Sequence, residues 1–243
     1  MEFQFSQVEN GACPYLENRN WTTHAFRTEL MPVSIYEELI DHGWRRSGDI
    51  FYRNACAGCS ECIPLRIPTR KFTLSKSQRR TLRRNSDVHT TLLPSAYSTE
   101  IYDLYTRYQH ARHPEDHDTS PEDFTRFLCD SPVTTAVALY QVGKRLIGAG
   151  WIDILPNSLS SVYFVFDPNE TVRSLGTYSV LHEIELCRRM GREHYHLGFW
   201  VSGCHKMEYK SAFNPHEILT DKGWRKHGIT PCSSLHNGHE EIV

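Results

Sequence analysis

Apolar positions along the second half of the chain switch between helical and strand spacing, and the switches mark out its elements. Helical periodicity predicts helices over 97–110 and 121–129, and alternation predicts strands over 134–141, 145–155 and 161–166. Over 174–190, Val180, Leu181, Ile184 and Cys187 form one apolar stripe, Arg188 and Arg189 suit the C-terminal dipole, and Gly191 ends the helix. A strand over 194–201 follows, and the tail after Trp224 reads as loose. The first half is shorter in rhythm and rich in turns. Ser34 to Glu37 spells a capping box for a helix with Ile35, Leu39 and Ile40 inward and Gly43 as its stop. Strand-like runs at 50–53 and 63–68 flank a cysteine turn. The pattern predicts an α+β protein with a small cysteine-containing N-terminal domain, residues 1–90, and a larger one, residues 91–243.

At 243 residues the chain is long enough to hide roughly 70% of its unfolded surface, so its core needs no disulfide or metal staple. Apolar residues at 39% and charged ones at 23% exclude a disordered or fibrous chain. No run approaches the ~18 apolar residues of a membrane span. Residues 1–11 carry Glu2 and Glu9 without Lys or Arg, unlike a secretory signal, which predicts a cytoplasmic protein with no membrane partner. In a reducing compartment the cysteines are thiols, metal ligands or redox groups rather than a disulfide framework.

The net charge of -2 conceals a polarised distribution. From Arg66 to Arg84 there are eight basic residues and no acid. Ser75 or Ser77 is a fair N-cap for a helix running to about Arg84, on which Arg79 and Arg83, and Arg80 and Arg84, lie one turn apart. Like charges at that spacing cost roughly a few tenths of a kcal/mol per pair, which an anionic partner offsets. Arginine favours planar recognition of phosphate or carboxylate. A solvated basic helix is the plainer reading; the absence of interleaved acids favours anion binding, nucleic acid first.

Cys56, Cys59 and Cys62 stand at a spacing of three with Gly58 in the turn, and Cys13 is the candidate fourth ligand. Such a knuckle suits zinc or an iron–sulfur cluster, and equally a reduced turn without metal. Cys129, Cys187, Cys204 and Cys232 read as small core or surface residues. Arg173, Ser174 and Gly176 sit where a strand leads into a helix, whose free amides hold a phosphate or a polarised carbonyl. Arg173 and Gly176 are similar to the loop by which N-acetyltransferases hold the coenzyme A pyrophosphate. Tyr178, at the last position of that motif, would crowd a pyrophosphate and argues against coenzyme A.

Taken together, these segments resemble the aminoacyl-tRNA–protein transferases. Cys13-Pro14-Tyr15, the stretch Gly43 to Gly48, the cysteine turn with Pro64-Leu65-Arg66, and Ser75 to Arg80 are similar to the N-terminal part of that family. Tyr163-Phe164, Asp167-Pro168, Ser174 to Gly176, Leu197 to Val201 and Cys204 to Lys210 are similar to its C-terminal part. Its eukaryotic arginyltransferases are longer. The compact form is closer to bacterial aspartate/glutamate leucyltransferases, which move leucine from leucyl-tRNA to proteins beginning with Asp or Glu and mark them for degradation. The resemblance implies a GNAT-like C-terminal domain and no cofactor for the chemistry. Eukaryotic relatives hold an iron–sulfur cluster on adjacent cysteines that this chain lacks.

On this reading the backbone at Arg173, Ser174 and Gly176 steadies the reacting carbonyl, and Arg79 and Arg80 clamp the acidic acceptor. Lys76, Arg83, Arg84, Lys206 and Lys210 meet tRNA phosphates. Tyr15, Leu16, Trp21 and Phe199 make the leucine pocket, and Tyr209 stacks on the terminal adenine. His110 and His113, beside Glu115 and Asp116, read as a polar loop. Alternatives are an arginine donor, matched by a buried carboxylate such as Glu208 or Asp153, a small-molecule N-acetyltransferase, and a non-enzymatic metal- or nucleic-acid-binding module.

Overall fold

The computed structural model describes residues 4–112 and 119–227. Its first unit is an antiparallel sheet of β1 (Ser6–Ala12), β2 (Asn20–Arg27), β3 (Arg45–Ser47) and β4 (Ile50–Asn54), in the order β1-β2-β4-β3. Helix α1 (Val33–Asp41) packs Tyr36 and Ile40 against Phe51, Trp44 and Met31, and Val133 and Leu155 from the second half of the chain complete this core. The capping box expected at Ser34 does not form. The N-cap is Pro32, no side chain caps the helix, and Ser34 lies inside it. Glu37 is engaged elsewhere, accepting hydrogen bonds from the Asn157 amide at 2.7 Å and the Ser158 hydroxyl at 2.9 Å. Gly43 ends the helix as expected, with φ +84.

The second unit is a sheet of eight strands ordered β12-β11-β5-β10-β9-β8-β7-β6. They are β5 (Ile63–Pro68), β6 (Val88–Pro94), β7 (Thr135–Val142), β8 (Arg145–Ile154), β9 (Ser158–Phe166), β10 (His194–Trp200), β11 (His216–Thr220) and β12 (Gly223–His227). Residue 90, the expected domain boundary, therefore falls within β6, and β5 from the N-terminal stretch lies between β10 and β11. Neighbouring residues of the central strands face opposite ways. Ala138 and Ile147 pack beneath α5 (Leu175–Arg189), whereas Val137 and Leu146 pack beneath α3 (Thr99–Arg112) and the segment α4 (Pro121–Phe124) with its following π-helical turn. The stripe of Val180, Leu181, Ile184 and Cys187 is buried as its spacing predicted.

The crossover from β9 through α5 to the parallel β10 gives the GNAT-like arrangement implied by the resemblance. Those two strands pair only over Ser158–Ser160 and His194–His196. Beyond them β10 bulges between His196 and Gly198 and follows β5, so the sheet opens on the β9 side. The expected loose tail lies largely outside the described residues.

Candidate functional site

Two cations fill the place where β9 and β10 part. Arg45 on β3 donates through Nη2 to the carbonyl of Ser161, one residue past the last pairing on β9. Lys210 donates through Nζ to the carbonyl of Phe199 on β10 at 2.8 Å. Both are more than nine-tenths buried, at 9% and 8% exposure. They converge on Gly198, whose φ of +89 favours glycine: a Cβ there would lie 3.4 Å from Lys210 Nζ and 3.7 Å from Arg45 Nη2. Among the described residues the partners of both cations are backbone carbonyls and not carboxylates, and Arg45 Nη1 has no hydrogen-bond partner. Burial first, and Arg45 second, pulls the Lys210 ammonium down to about 7. Lys210 was expected on the tRNA-facing surface; its burial beneath the bulge of β10 removes it from there.

Phe199 connects this pair to an aromatic group. Its ring lies 6.2 Å from Tyr52, which meets Trp21 edge-on at 6.4 Å, and Trp21 Nε1 donates to Asn54 at 2.8 Å. Tyr15 joins them: burial first, then Tyr52, Cys62, Cys204 and Cys13, raises its phenol above the ordinary range. Leu16 beside it is half-buried. A cavity of about 550 Å³ opens next to these rings, lined by Phe199, Arg53, Cys56, Cys59, Cys62 and Asp221 among others. That is a size typical of small-molecule sites.

The expected metal ligands gather without forming a ligand set. Burial, then Cys13, Cys56, Cys59 and Glu61, pushes the Cys62 thiol up to about 12, so the four thiols share one neighbourhood. The Cys56 sulfur is bound to the backbone of Thr22, accepting from its amide at 3.4 Å. Among the described residues no three His, Cys, Asp or Glu side chains are placed to hold a metal ion.

The basic segment is α2 (Lys76–Arg84). Ser75 caps it, accepting from the Gln78 amide at 3.2 Å while Gln78 Oε1 accepts from the Ser75 amide at 2.9 Å. Gln78 Nε2 also donates to Ala212 at 3.1 Å, tying α2 to the turn that follows α6 (His205–Glu208). Lys76, Arg79, Arg80, Arg83, Arg84 and Lys206 are all exposed, and the Tyr209 ring is 45% exposed. The Arg173 side chain is engaged, donating to both oxygens of Asp87 at 2.8 Å and to Glu170 at 2.8 Å. These bonds raise it above the ordinary arginine value. It therefore ties the turn after α2 to the turn before α5, with four of its five N–H donors engaged. Ser174 is left-handed at φ +55 and does not cap α5, and Gly176 faces open space. No side chain therefore caps the first turn of α5, whose Tyr178 amide donates to the Ser174 carbonyl at 3.0 Å.

Comparison with known proteins places this geometry. Residues 11–80 match the arginine-tRNA-protein transferase N-terminus family, and residues 100–220 match the corresponding C-terminus family. A protein of Chromohalobacter salexigens named aspartate/glutamate leucyltransferase is 40% identical over 228 residues, covering 91% of this chain and 92% of that one. This chain belongs to that family. A leucyltransferase of the same name from Pseudomonas savastanoi pv. phaseolicola is 37% identical over 224 residues, covering 91% of this chain and 95% of that one. The fold also has distant likenesses among solved structures. L-PGS from Bacillus licheniformis matches at 9% identity and a TM-score of 0.47, over 68% of this chain and 50% of that one. FemX matches at 7% identity and a TM-score of 0.46, over 71% and 61%.

As a member of this family the chain is an aminoacyltransferase, and its structure sorts the expected site residues into three groups. Tyr15, Trp21 and Phe199 come together, with Leu16 alongside. The α2 cations form one exposed face, joined through Gln78 to the turn at Tyr209–Ala212 that follows Lys206 on α6. Arg173, Ser174 and Gly176 hold the start of α5. Sequence reasoning missed Arg45, Tyr52 and Glu183. Glu183 is buried on α5, accepting from the Tyr195 hydroxyl at 2.5 Å and facing the Tyr140 hydroxyl at 3.5 Å, and burial pushes its carboxyl up to about 7. Arg45 lies in the Gly43 to Gly48 stretch that carried the resemblance, which was the available signal for it. His110 lies in the last turn of α3, whereas His113, Glu115 and Asp116 lie outside the described residues.

Proposed function

We propose that this protein transfers leucine from leucyl-tRNA to the N-terminal α-amine of proteins beginning with Asp or Glu, giving them a destabilising N-terminus for degradation. The observation that carries this reading is the 40% identity to a protein of that name along 91% of the chain. A tRNA-borne donor supports a cytoplasmic setting for the reaction, and no helix among the described residues is long and apolar enough to cross a membrane.

The chemistry asks little of the protein beyond placement. The donor ester is already activated, and an α-amine with pKa of about 7.7–8.0 is partly neutral at pH 7. Holding amine and ester together accounts for up to roughly 7–11 kcal/mol of the barrier. The amine nitrogen attacks the leucyl carbonyl, the ester carbon–oxygen bond breaks, and the ammonium proton ends on the departing tRNA ribose oxygen. Free amides at Ser174 to Gly176 receive the oxyanion that forms between these steps. The leucine side chain enters the cavity against its apolar lining of Phe199, Ile63, Pro64, Ile218 and Leu219, and Tyr209 stacks on the terminal adenine. Arg79 and Arg80 are as exposed as Arg83 and Arg84. Water and salt screen such groups from a single carboxylate, so we assign all four, with Lys76 and Lys206, to the tRNA backbone.

Labelled leucine and labelled arginine, each offered on charged tRNA to peptides starting with Asp, Glu, Lys or Ala, test the reading. Leucine on Asp and Glu peptides alone is the expected result. Arginine transfer would keep the chemistry and overturn the donor, and no transfer would overturn the function.

A further inference from the structure

The geometry points to Arg45 and Lys210 as a buried subsite for a carboxylate, the side chain of the acceptor's first residue. This inference deepens the proposed function and rests on it. Its starting point is an imbalance of charge. Two cations are brought out of water side by side, and each is bound only to a backbone carbonyl. Taking a charge out of water costs several kcal/mol unless an opposite charge and hydrogen bonds compensate. The groups that face the pair from neighbouring elements supply no anion. Tyr36 and Tyr52 are held neutral by burial, and His196 is pushed well below the ordinary histidine value. Asp153 and Asp41, which border the region, are bound by Arg46 and Arg66.

Donors remain for a ligand. Arg45 Nη1 is unpartnered, and the Lys210 ammonium has donated only one of its three hydrogens. Both cations face the place where Gly198 has no side chain. A carboxylate is the small planar anion that a guanidinium and an ammonium bind together. A phosphate within a polynucleotide is bulkier, and the exposed face of α2 already suits it. The location fits the acceptor: Lys210 holds the carbonyl of Phe199, whose ring faces Tyr52 on the side of the leucine cavity. The first residue of the acceptor and the leucyl group are thereby set on two sides of one residue. Burial also explains selectivity, because an amide or alkyl side chain in this subsite leaves desolvated cations unpaired.

The test uses the full chain, leucyl-tRNA and peptides starting with Asp, Glu, Asn or Gln. Lys210→Met and Arg45→Met are each expected to lower kcat/KM for Asp peptides by about 10²-fold or more, chiefly through KM. The preference for Asp over Asn should fall towards unity with leucyl-tRNA affinity unchanged, and Lys210→Arg should restore most of it. A preference retained in both methionine variants, or a loss of tRNA affinity in step with the peptide rate, would overturn the subsite. Calorimetry on the wild-type protein decides independently of whether the variants fold and of whether leucine is transferred. An Asp-starting dipeptide binding at least tenfold more tightly than its Asn counterpart supports the subsite, and equal binding sinks it. Absence of leucine transfer by the wild-type protein would instead overturn the parent reading.

Discussion

Arg45 and Arg46 are neighbours on one short strand, and they treat buried charge in opposite ways. Arg46 points towards β8, where Nε and Nη2 meet the two oxygens of Asp153 at 2.7 and 2.5 Å, Nη1 donates to Gly48 at 3.0 Å and Nη2 to Thr135 at 2.9 Å. Thr135 donates in turn to Asp153 at 2.6 Å. Every charge there has a partner, and the network ties the small sheet to the large one. Arg45 turns to the other face, where it donates to one backbone carbonyl and meets a lysine that holds another, with no carboxylate. A buried charge with a complete set of partners is part of the scaffold. One left incomplete beside an opening in the sheet is kept for something that arrives from outside.

Removing each charge therefore acts on different quantities. The largest stability effect belongs to the complete network. Arg46→Met strands Asp153 and should cost about 3–5 kcal/mol in chemical denaturation. Lys210→Met should do the reverse, raising stability by about 1 kcal/mol, or roughly 2–4 °C in thermal midpoint, while transfer collapses. A matching fall in stability would place Lys210 with the scaffold. The same substitution has a pH signature. Lys210 titrates at about 7 in the folded chain against 10.5 unfolded, so the unfolded state binds more protons between those values. Wild-type stability should therefore rise with pH across that window, and Lys210→Met should remove the rise. Glu183 supplies the opposite sign. Its carboxyl sits at about 7 folded against 4.5 unfolded, so its contribution falls as pH climbs from about 4.5 to 7, and Glu183→Gln should flatten that slope. The smallest effect belongs to the exposed face: each of Arg79, Arg80, Arg83 and Arg84 changed to Ala should reduce the salt slope of tRNA binding by about 1 without altering peptide preference.

Much of the scaffold was readable from local pattern because local pattern causes it. The buried stripe of α5 and the Ser75 cap of α2 follow from spacing and from a side chain reaching its own backbone. Where long-range partners intervene, the pattern misleads. Ser34 and Glu37 have the letters of a capping box, yet Glu37 is claimed by Asn157 and Ser158. Lys210 sits in a charged stretch that reads as surface, and only the bulge of β10 puts it inside. Arg45 and Arg46 differ by nothing in the sequence except which side of the strand they face. The exposed arginines of α2 and the aromatic residues of the pocket were visible as types, whereas the paired cations exist only once β3, β10 and the turn at Lys210 have met.

The position of β5 bears on how the molecule is made. This strand leaves the ribosome early, yet its partners on both sides, β10 and β11, come much later in the chain. Until they emerge, β5 offers two open edges of the kind that recruit foreign strands. The sheet that carries the reaction thus closes around an early strand in the last steps of synthesis. A ribosome stalled between those late strands releases a chain whose catalytic sheet is unfinished and adhesive.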